Sequence, residues 1–449
     1  MDLHTTPAHP AGDISTTTLG RSRIFPWVVF ALTFGLLLSD YMSRQVLPAV
    51  FPYLKTQWGL SDSRLGALTS VVALMVALGT VPLSLLADRW GRVRSLLIMA
   101  SFWSVATLLC ACAGNFGQML GARFLLGVGE AAYGSVGAAV VVGVFAPRLR
   151  ASVSGAFLAG GSFGSVLGIA LGGVIARHIG WRWTFVAMAV FGLLLVAAFR
   201  LFVTEHRLQR HHIPDDATAE NDSEPGTRVP LSSLFSTVPV WCVYLAGGLQ
   251  LFVSAVLMAW LPSFFNRSYG MAPDRAGLTA AVYALLIGVG MIGCGMIADR
   301  VARAEPARLW SVVAVYCVAS IVLLTLAFSL PTGPAQLIAL GIGALFCAGS
   351  TGAISSLVIN LTHPSLRATA FGTAVLFNNI FGLAAGPLLV GFLADHYGLA
   401  TALRLVPLAY LGVLVVTILG RRAHPSGRHR LVRSQAVSSS APPAPSADS

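Results

Sequence analysis

The chain alternates between long apolar runs and short polar connections. A helix that crosses a bilayer needs roughly 20 apolar residues, and twelve runs reach that length. They lie near 24–52, 62–87, 95–113, 117–145, 149–177, 182–204, 238–266, 274–301, 308–329, 333–361, 366–395 and 400–421. This pattern predicts an all-α membrane protein with twelve transmembrane helices.

The polar stretches divide these runs into two groups of six. Residues 205–237 separate the two groups, and their stretch up to 228 is polar and charged with almost no aliphatic side chains, which is typical of a solvated linker. Residues 422–449 are basic and then rich in Ser, Ala and Pro, a composition typical of disorder. We therefore predict an N-terminal segment 1–23, six-helix bundles at 24–204 and 238–421, the linker between them and a disordered tail.

The two predicted bundles repeat each other. The pattern Asp-Arg-x-x-Arg follows the second run at 88–92 and the eighth at 299–303, an offset of 211 residues. The fifth and eleventh runs end in related Gly-x-x-Ala strings at 173–176 and 391–394. Matches at nearly one offset indicate duplication of a six-helix unit, as in transporters that rock two bundles around a central site.

The repeated loops also carry a candidate gate. Positive charge alone would explain their arginines but not the repeated acid, so we expect the loops to latch the bundles together during gating. The candidate gating residues are Asp88, Arg89, Arg92, Asp299, Arg300 and Arg303.

Charge placement predicts the orientation and excludes several functions. Only 10% of residues are charged and the formal net charge is +12. With the N-terminus inside, 20 basic residues fall on the side of both termini and seven on the other, which predicts cytoplasmic termini and explains the net charge without nucleic acid.

Lys55 is the one lysine and lacks a phosphate-loop context, so nucleotide hydrolysis is not expected. Arginine in place of lysine suggests a GC-rich bacterial genome, hence an inner (plasma) membrane.

Two motifs resemble a known family. The string ADRWGRVR at 87–94 resembles the signature of the major facilitator superfamily, and the resemblance covers nearly the whole chain. The pattern from Arg123 to Tyr133 resembles the Spinster-like branch, whose first-helix pattern is matched here by Tyr41 and Arg44. Asp40 stands where that branch has asparagine. The resemblance implies alternating access, often proton-coupled, with lysolipids as substrates in this branch and organic anions in neighbouring ones.

Four charged residues fall inside the predicted spans: Asp40, Arg44, Arg123 and Glu130. A charge at the bilayer centre costs roughly 2.5–3.5 kcal/mol, so such residues usually face a cavity or one another. Asp40 and Arg44 are close enough to pair within one helix, whereas Arg123 and Glu130 stand about 10 Å apart along theirs. We expect Arg123 and Glu130 to reach partners across the bundle or a substrate.

These charges predict proton coupling and anion binding in the first bundle. Asp40 and Glu130 are the candidate proton carriers, because burial favours a neutral carboxyl group and a nearby arginine favours a charged one. The alternative is that the four residues only brace the bundle. The candidate substrate-binding residues are Arg44, Arg123, Tyr41, Tyr133, Gln250 and Asn378, of which the last two could equally join helices.

The sequence leaves three classes of function open. The first is a secondary transporter of an amphiphilic or organic-anion solute, with lysolipid among the candidates. The second is a uniporter or lipid mover in which the charges only bind substrate, and the third is a receptor on the same fold. We expect no enzyme activity, cofactor, metal or nucleic-acid partner, and a monomer whose partners are the bilayer, its solute and protons.

Overall fold

The computed structural model describes residues 24–211, 237–304, 306–363 and 366–423. Twelve helices in these ranges are long and apolar enough to cross a membrane, which confirms the predicted fold class. The segment 1–23 and most of the predicted linker and tail lie outside the described residues. The spans are α1 Phe25–Trp58, α2 Asp62–Ala87, α3 Arg92–Cys112, α4 Phe116–Val144, α5 Pro147–His178, α6 Trp181–Phe202, α7 Val238–Tyr269, α8 Pro273–Arg303, α9 Leu309–Ser329, α10 Pro334–Leu361, α11 Thr369–Tyr397 and α12 Leu399–Ala423.

We call the end of the bundles that carries Phe25 and Ala423 the terminal face and the other end the distal face. At the distal face, Gly59 ends α1 with a left-handed φ of 61°, which glycine adopts without steric cost. The Ser61 hydroxyl then accepts the Arg64 amide at 3.3 Å and caps α2. Local chemistry therefore sets the tight turn between the first two spans.

The linker begins with a short helix, Glu205–His211, rather than with irregular chain. Its Glu205 carboxylate accepts a hydrogen bond from the Val93 amide at 3.2 Å, at the start of α3. A carboxylate at a helix N-terminus is favourable because the first backbone amides have no partner within the helix. The first turns of the linker are thus held against the first bundle.

Glycines on α5 allow it to lie directly against α1. A Cβ atom at Gly164 would stand 2.5 Å from the Leu38 carbonyl oxygen, and one at Gly168 would stand 2.7 Å from that of Met42. Small residues at four-residue spacing permit such close approach of membrane helices. The first bundle is therefore packed with α1 at its inner side, where its charged residues face other helices.

The two bundles meet chiefly along three helix pairs, α2 with α11, α5 with α8, and α1 with α7, and α1 also contacts α8. Near the distal face the backbones touch, because Gly66 of α2 lies against Pro387 and Gly391 of α11 lies against Asp62. Gly277 occupies the matching place on α8, where a Cβ would stand 3.0 Å from the Ile169 carbonyl. The string Arg-x-Gly occurs at 64–66 and again at 275–277, so the duplicated unit supplies a contact glycine to two different inter-bundle pairs.

Three spans are irregular at mid-membrane depth. The fourth breaks at 131–132, directly after Glu130, and the tenth breaks at 348–350. The eleventh contains a π-helical stretch, Asn378–Ala384. Irregular backbone is tolerated inside a membrane where it is buried in protein or lines a cavity, and π-bulges are frequent at functional sites. All three irregularities lie around the centre of the molecule.

Candidate functional site

Arg44 of α1 and Glu130 of α4 form an ion pair at the centre of the first bundle. The guanidinium donates from Nε and Nη2 to Oε2 of Glu130, at 2.9 and 2.6 Å. The Glu130 side chain is fully buried, while the Arg44 side chain keeps 14% of its surface exposed. Glu130 therefore found a partner across the bundle, as expected, and that partner is Arg44.

Asp40 lies one helical turn before Arg44 and is 4% exposed. The sequence suggested an ion pair between these two residues, but the described ion pair of Arg44 is with Glu130. Asp40 is thus a second buried acid, one helical turn from the arginine that binds Glu130. Within the described residues, Oδ1 of Asp40 and Oε1 of Glu130 accept no hydrogen bond from another group. Two buried carboxyl groups thus lie near one guanidinium, which binds Glu130 in the described contacts.

Arg123 has a different place from the one expected of a substrate-binding residue. It is fully buried and donates to three backbone carbonyl groups, those of Ser43 at 3.0 Å, Arg44 at 3.0 Å and Leu68 at 3.3 Å. These carbonyls belong to α1 and α2. Arg123 therefore ties α4 to the backbone that carries Arg44.

The two candidate substrate-binding tyrosines lie in different surroundings. Tyr41 lies beside Arg44, whose guanidinium carbon is 5.5 Å from its ring centre, and it faces the central cavity. Tyr133 is fully buried and donates from its hydroxyl to the Thr33 carbonyl at 2.7 Å. Its ring packs edge-on against Trp103 at 4.8 Å between centres. Only Tyr41 of the pair lies where it could touch a solute in the cavity.

A cavity of about 300 Å³ lies between the two bundles. Its polar groups come chiefly from the first bundle, and its opposite wall, from α7 and α8, is largely apolar. Gln45 and Met258 meet across it, with the amide nitrogen 3.8 Å from the thioether sulfur. The lining includes Tyr41, Arg44, Gln45, Thr69, Ser162, Ser165, Ser254, Met258, Ile287, Met291 and Thr351.

The second-bundle candidates lie beside this cavity rather than in it. Gln250 donates to the Cys347 carbonyl at 2.9 Å and accepts the Thr351 hydroxyl at 3.1 Å, which places it at the break in α10. Asn378 and Gln250 line a separate cavity of about 40 Å³ within the second bundle. Thr351 lines both cavities. Gln250 therefore supports the irregular backbone that borders the central cavity.

The bundles are joined by charged groups at the distal face. Arg267 of α7 donates to both carboxylate oxygens of Asp62 at 2.6 and 2.8 Å, and Lys55 donates to the same carboxylate at 2.7 Å. Asp395 of α11 accepts from the backbone amides of Asp62 and Ser63 at 2.6 and 2.9 Å. We call these contacts of Asp62, Arg267 and Asp395 the distal latch.

The predicted gating residues lie at the terminal face. Arg89 and Arg92 on the first loop, and Asp299, Arg300 and Arg303 on the second, are exposed. The helix of α2 continues through Asp88 to Trp90, and the side chain of Asp88 lies outside the description. Within the described side chains, no ion pair joins the two loops. Their gating role stays a prediction, and the described charged contacts between bundles are those of the distal latch.

Sequence reasoning missed several of the residues that line the cavity or join the bundles. Gln45 shares a face of α1 with Tyr41, and that spacing was available as a signal. Asp62 and Asp395 lie at helix ends, and an acid at a helix end is usually interpreted as a helix cap or a solvated charge. Nothing in the spacing of two residues 333 positions apart indicates that one binds the amide of the other.

The sequence profile of the Major Facilitator Superfamily matches residues 33–385. The chain belongs to the Major Facilitator Superfamily. The crystal structure of a bacterial homologue of the human lysosomal transporter Spinster, inward-facing and unoccupied, aligns with a TM-score of 0.79 at 19% identity, covering 91% of this chain and 99% of that one. The fold and the family expected from the motifs are thereby confirmed.

Two curated relatives indicate the breadth of the family. A probable L-galactonate transporter of Escherichia coli is 24% identical over 399 residues, covering 87% of each chain. Protein spinster homolog 1 of Xenopus laevis is 25% identical over 390 residues, covering 82% of this chain and 73% of that one. The superfamily member described here is thus a multi-pass membrane transporter with similarity to Spinster proteins, and not an enzyme, consistent with a bacterial plasma membrane.

Proposed function

We propose that this protein is a proton-coupled transporter of a small organic anion, in which Arg44 binds the anion and Asp40 with Glu130 carries the proton. The observation that carries the proposal is a buried Arg44–Glu130 ion pair at the cavity wall with a second buried acid, Asp40, one helical turn away. In the described contacts Arg44 binds Glu130 and Arg123 binds backbone carbonyl groups, so neither guanidinium bonds the Asp40 carboxyl group. Burial without a bonded cation favours the neutral form of an acid, so Asp40 holds a proton beside Glu130 in a site from which water is largely excluded.

The position of Arg44 supports a link between proton and substrate. Its guanidinium binds Glu130 on one side and borders the central cavity on the other. When Glu130 is neutral, the guanidinium is released to bind a carboxylate in the cavity, which it can hold through two parallel hydrogen bonds. Proton binding and anion binding therefore favour each other, as coupled transport requires.

The cavity favours a small solute over a lysolipid. Its volume of about 300 Å³ stands at the lower end of the range for small-molecule sites, roughly 300–1,000 Å³. One cation, a few hydroxyl and amide groups and an apolar far wall suit a monocarboxylate with an apolar or partly hydroxylated body. The similarity to a relative named as an L-galactonate transporter supports an anionic metabolite, whereas the similarity to Spinster proteins keeps lysolipid as the second candidate.

Ligand-induced thermal stabilisation of the purified protein tests the substrate class. The panel sets sugar acids, aromatic acids and small carboxylates against lysophospholipids and sphingoid lipids, at pH 5.5 and 7.5. We expect one carboxylate class to raise Tm, more at pH 5.5, and Arg44→Ala to abolish the rise at both pH values. Arg404→Ala, which removes an arginine bonded to the Phe328 carbonyl far from the cavity, is the matched control.

The results separate the alternatives. Stabilisation by lysolipids and by no carboxylate would replace the proposal with a lipid mover. Stabilisation that is equal at both pH values would leave an uncoupled uniporter whose charges only bind the solute. Full stabilisation of Arg44→Ala by the same carboxylate would contradict the role of Arg44.

A further inference from the structure

A groove on the outer flank of the second bundle remains unexplained by the transport site. It lies between α8, α9 and α12 at the terminal face and has a volume of about 580 Å³. Its wall contains exposed apolar side chains, with Ile297 52% and Val315 64% exposed. Two arginines stand at its rim: Arg308 directly before α9 and Arg421 near the end of α12.

The groove is a built feature and not a gap in packing. The Trp310 ring forms its floor and lies directly against Gly420 of α12, where any side chain would collide with the indole. The Tyr316 hydroxyl donates to the Cys294 carbonyl at 3.0 Å and fixes the wall between α9 and α8. An aromatic floor, a glycine contact and a buried hydrogen bond thus hold the groove in shape.

The first bundle has a related groove at the equivalent place. It lies between α3 and α6 with a volume of about 430 Å³, and its lining includes Phe102, Val105 and Arg200. Arg200 stands near the end of α6 as Arg421 stands near the end of α12, an offset of 221 residues. The duplicated unit therefore carries an apolar groove with an arginine at its rim in both copies.

We propose that these grooves bind anionic phospholipids of the leaflet at the terminal face, one acyl chain in each groove and the phosphate at the arginine rim. The rims lie at helix ends, the level of lipid phosphates. A guanidinium binds a phosphate through paired hydrogen bonds, and a basic side chain near an anionic leaflet contributes about 1 kcal/mol. The second groove has two rim arginines and the first has one, so the second is the tighter site.

Native mass spectrometry of the full chain in detergent tests the proposal without any transport assay. Phosphatidylglycerol and phosphatidylcholine with identical chains are titrated separately. We expect two phosphatidylglycerol binding steps and weaker phosphatidylcholine binding. Arg421→Ala weakens the tighter step about five-fold and Arg308→Ala with Arg421→Ala about twenty-five-fold, at about 1 kcal/mol per arginine. Arg200→Ala weakens only the second step.

Three controls make the test decisive. Arg422→Ala removes a neighbouring exposed arginine that does not line the groove and leaves both steps unchanged. Val315→Trp fills the groove while keeping both arginines, and it weakens the tighter step. Excess inorganic phosphate does not compete. The proposal is overturned if the double arginine variant binds phosphatidylglycerol like the unaltered protein, if phosphatidylcholine binds equally well, if Arg422→Ala has the effect of Arg421→Ala, or if phosphate displaces the lipid.

Discussion

Arg44 and Glu130 lie on different helices, 86 positions apart, and their ion pair joins the predicted proton site to the cavity wall. A buried pair of this kind is weak evidence for stability, because the cost of removing two charges from water offsets much of their attraction. In the proposed function, the ion pair matters because Arg44 can exchange Glu130 for a solute. Glu130 and a solute carboxylate compete for the same guanidinium.

Neutralising Glu130 tests this competition. In Glu130→Gln the amide imitates the protonated acid, so Arg44 is released at every pH. We expect stabilisation by the solute at pH 7.5 to rise to the level seen at pH 5.5, while uptake driven by a pH gradient into proteoliposomes is lost. Solute exchange at equal pH persists.

The matched control is Asp274→Asn, which removes an acid near the start of α8 at the distal face. It should leave both the pH dependence and the gradient-driven uptake unchanged. If Glu130→Gln instead weakens solute binding at both pH values, Glu130 only supports the site. The proposal that Glu130 and the solute compete for Arg44 is then wrong.

We expect Arg123 to stabilise the first bundle rather than to bind the solute. Its guanidinium holds three carbonyl groups of α1 and α2 in a fully buried setting. Arg123→Ala removes these charged hydrogen bonds and leaves a cavity, which lowers the free energy of unfolding by about 2–4 kcal/mol. Denaturation of the purified variant measures this, with Arg404→Ala for comparison. A variant of unchanged stability that fails to bind solute would return Arg123 to the substrate site.

The sequence identified the charged residues inside the membrane spans but not which of them form an ion pair. The four intramembrane charges were identifiable because charge is rare in apolar runs, and all four lie near the centre of the first bundle. Spacing along one helix suggested Asp40 for Arg44, but Glu130 comes from α4 and reaches the same guanidinium. Which of two acids an arginine meets depends on helix rotation and tilt, which local periodicity does not specify.

At the scale of elements, the distal latch explains why the bundles are held together at that face. The Asp62 side chain is 4% exposed and binds Arg267 of the other bundle through both oxygens. Paired charged hydrogen bonds of this kind are among the stronger polar contacts. Opening of the distal face during alternating access has to break them.

Weakening the latch should favour the distally open state. In Asp62→Asn we expect a cysteine placed at Thr69, in the cavity lining, to react about ten-fold faster with an impermeant maleimide added at the distal side, the equivalent of about 1.4 kcal/mol. The background is Cys112→Ser, since Cys112 is exposed. Arg267→Gln should match Asp62→Asn, and the double variant should add little.

Lys55→Gln is the internal control, because Lys55 binds Asp62 from within the same bundle. It should raise labelling much less than Asp62→Asn does. Equal effects of Lys55→Gln and Arg267→Gln would mean that the contact between bundles is not what holds the face closed.

At the scale of elements, the sequence predicts the spans but not the breaks within them. The spans were predictable from run length, and the glycine contacts of α5 from four-residue spacing. The break after Glu130 falls at Ala131 and Ala132, residues that favour helix, so no local signal marks it. Tertiary contacts, including the Thr80 hydroxyl that donates to the Ala131 carbonyl at 2.9 Å, accompany the break.

At the scale of the whole molecule, the orientation remains a prediction from charge. Twenty basic residues on the terminal side against seven on the other predict a cytoplasmic terminal face. A C-terminal green fluorescent protein fusion should therefore fluoresce. A fusion truncated at 331, after α9, should stay dark because that loop is at the distal face. The reverse pattern would invert the orientation.

The duplication is preserved in the fold but not in the chemistry. Both halves keep the six-helix unit, a broken fourth span and an arginine-rimmed groove. The intramembrane charges belong to the first half alone: Asp40 and Arg44 correspond approximately to Ser254 and Met258. One bundle thus carries the charges while the other supplies the largely apolar wall of the cavity.

The single guanidinium has a consequence for energetics. If Arg44 exchanges Glu130 for a solute monoanion each time one proton enters, the loaded and empty forms of the site carry the same net charge. One turnover then moves a proton and an anion together and transfers no current. The membrane potential alone would not drive accumulation: a potassium diffusion potential should leave uptake unchanged, and the concentration ratio at steady state should follow the pH difference across the membrane.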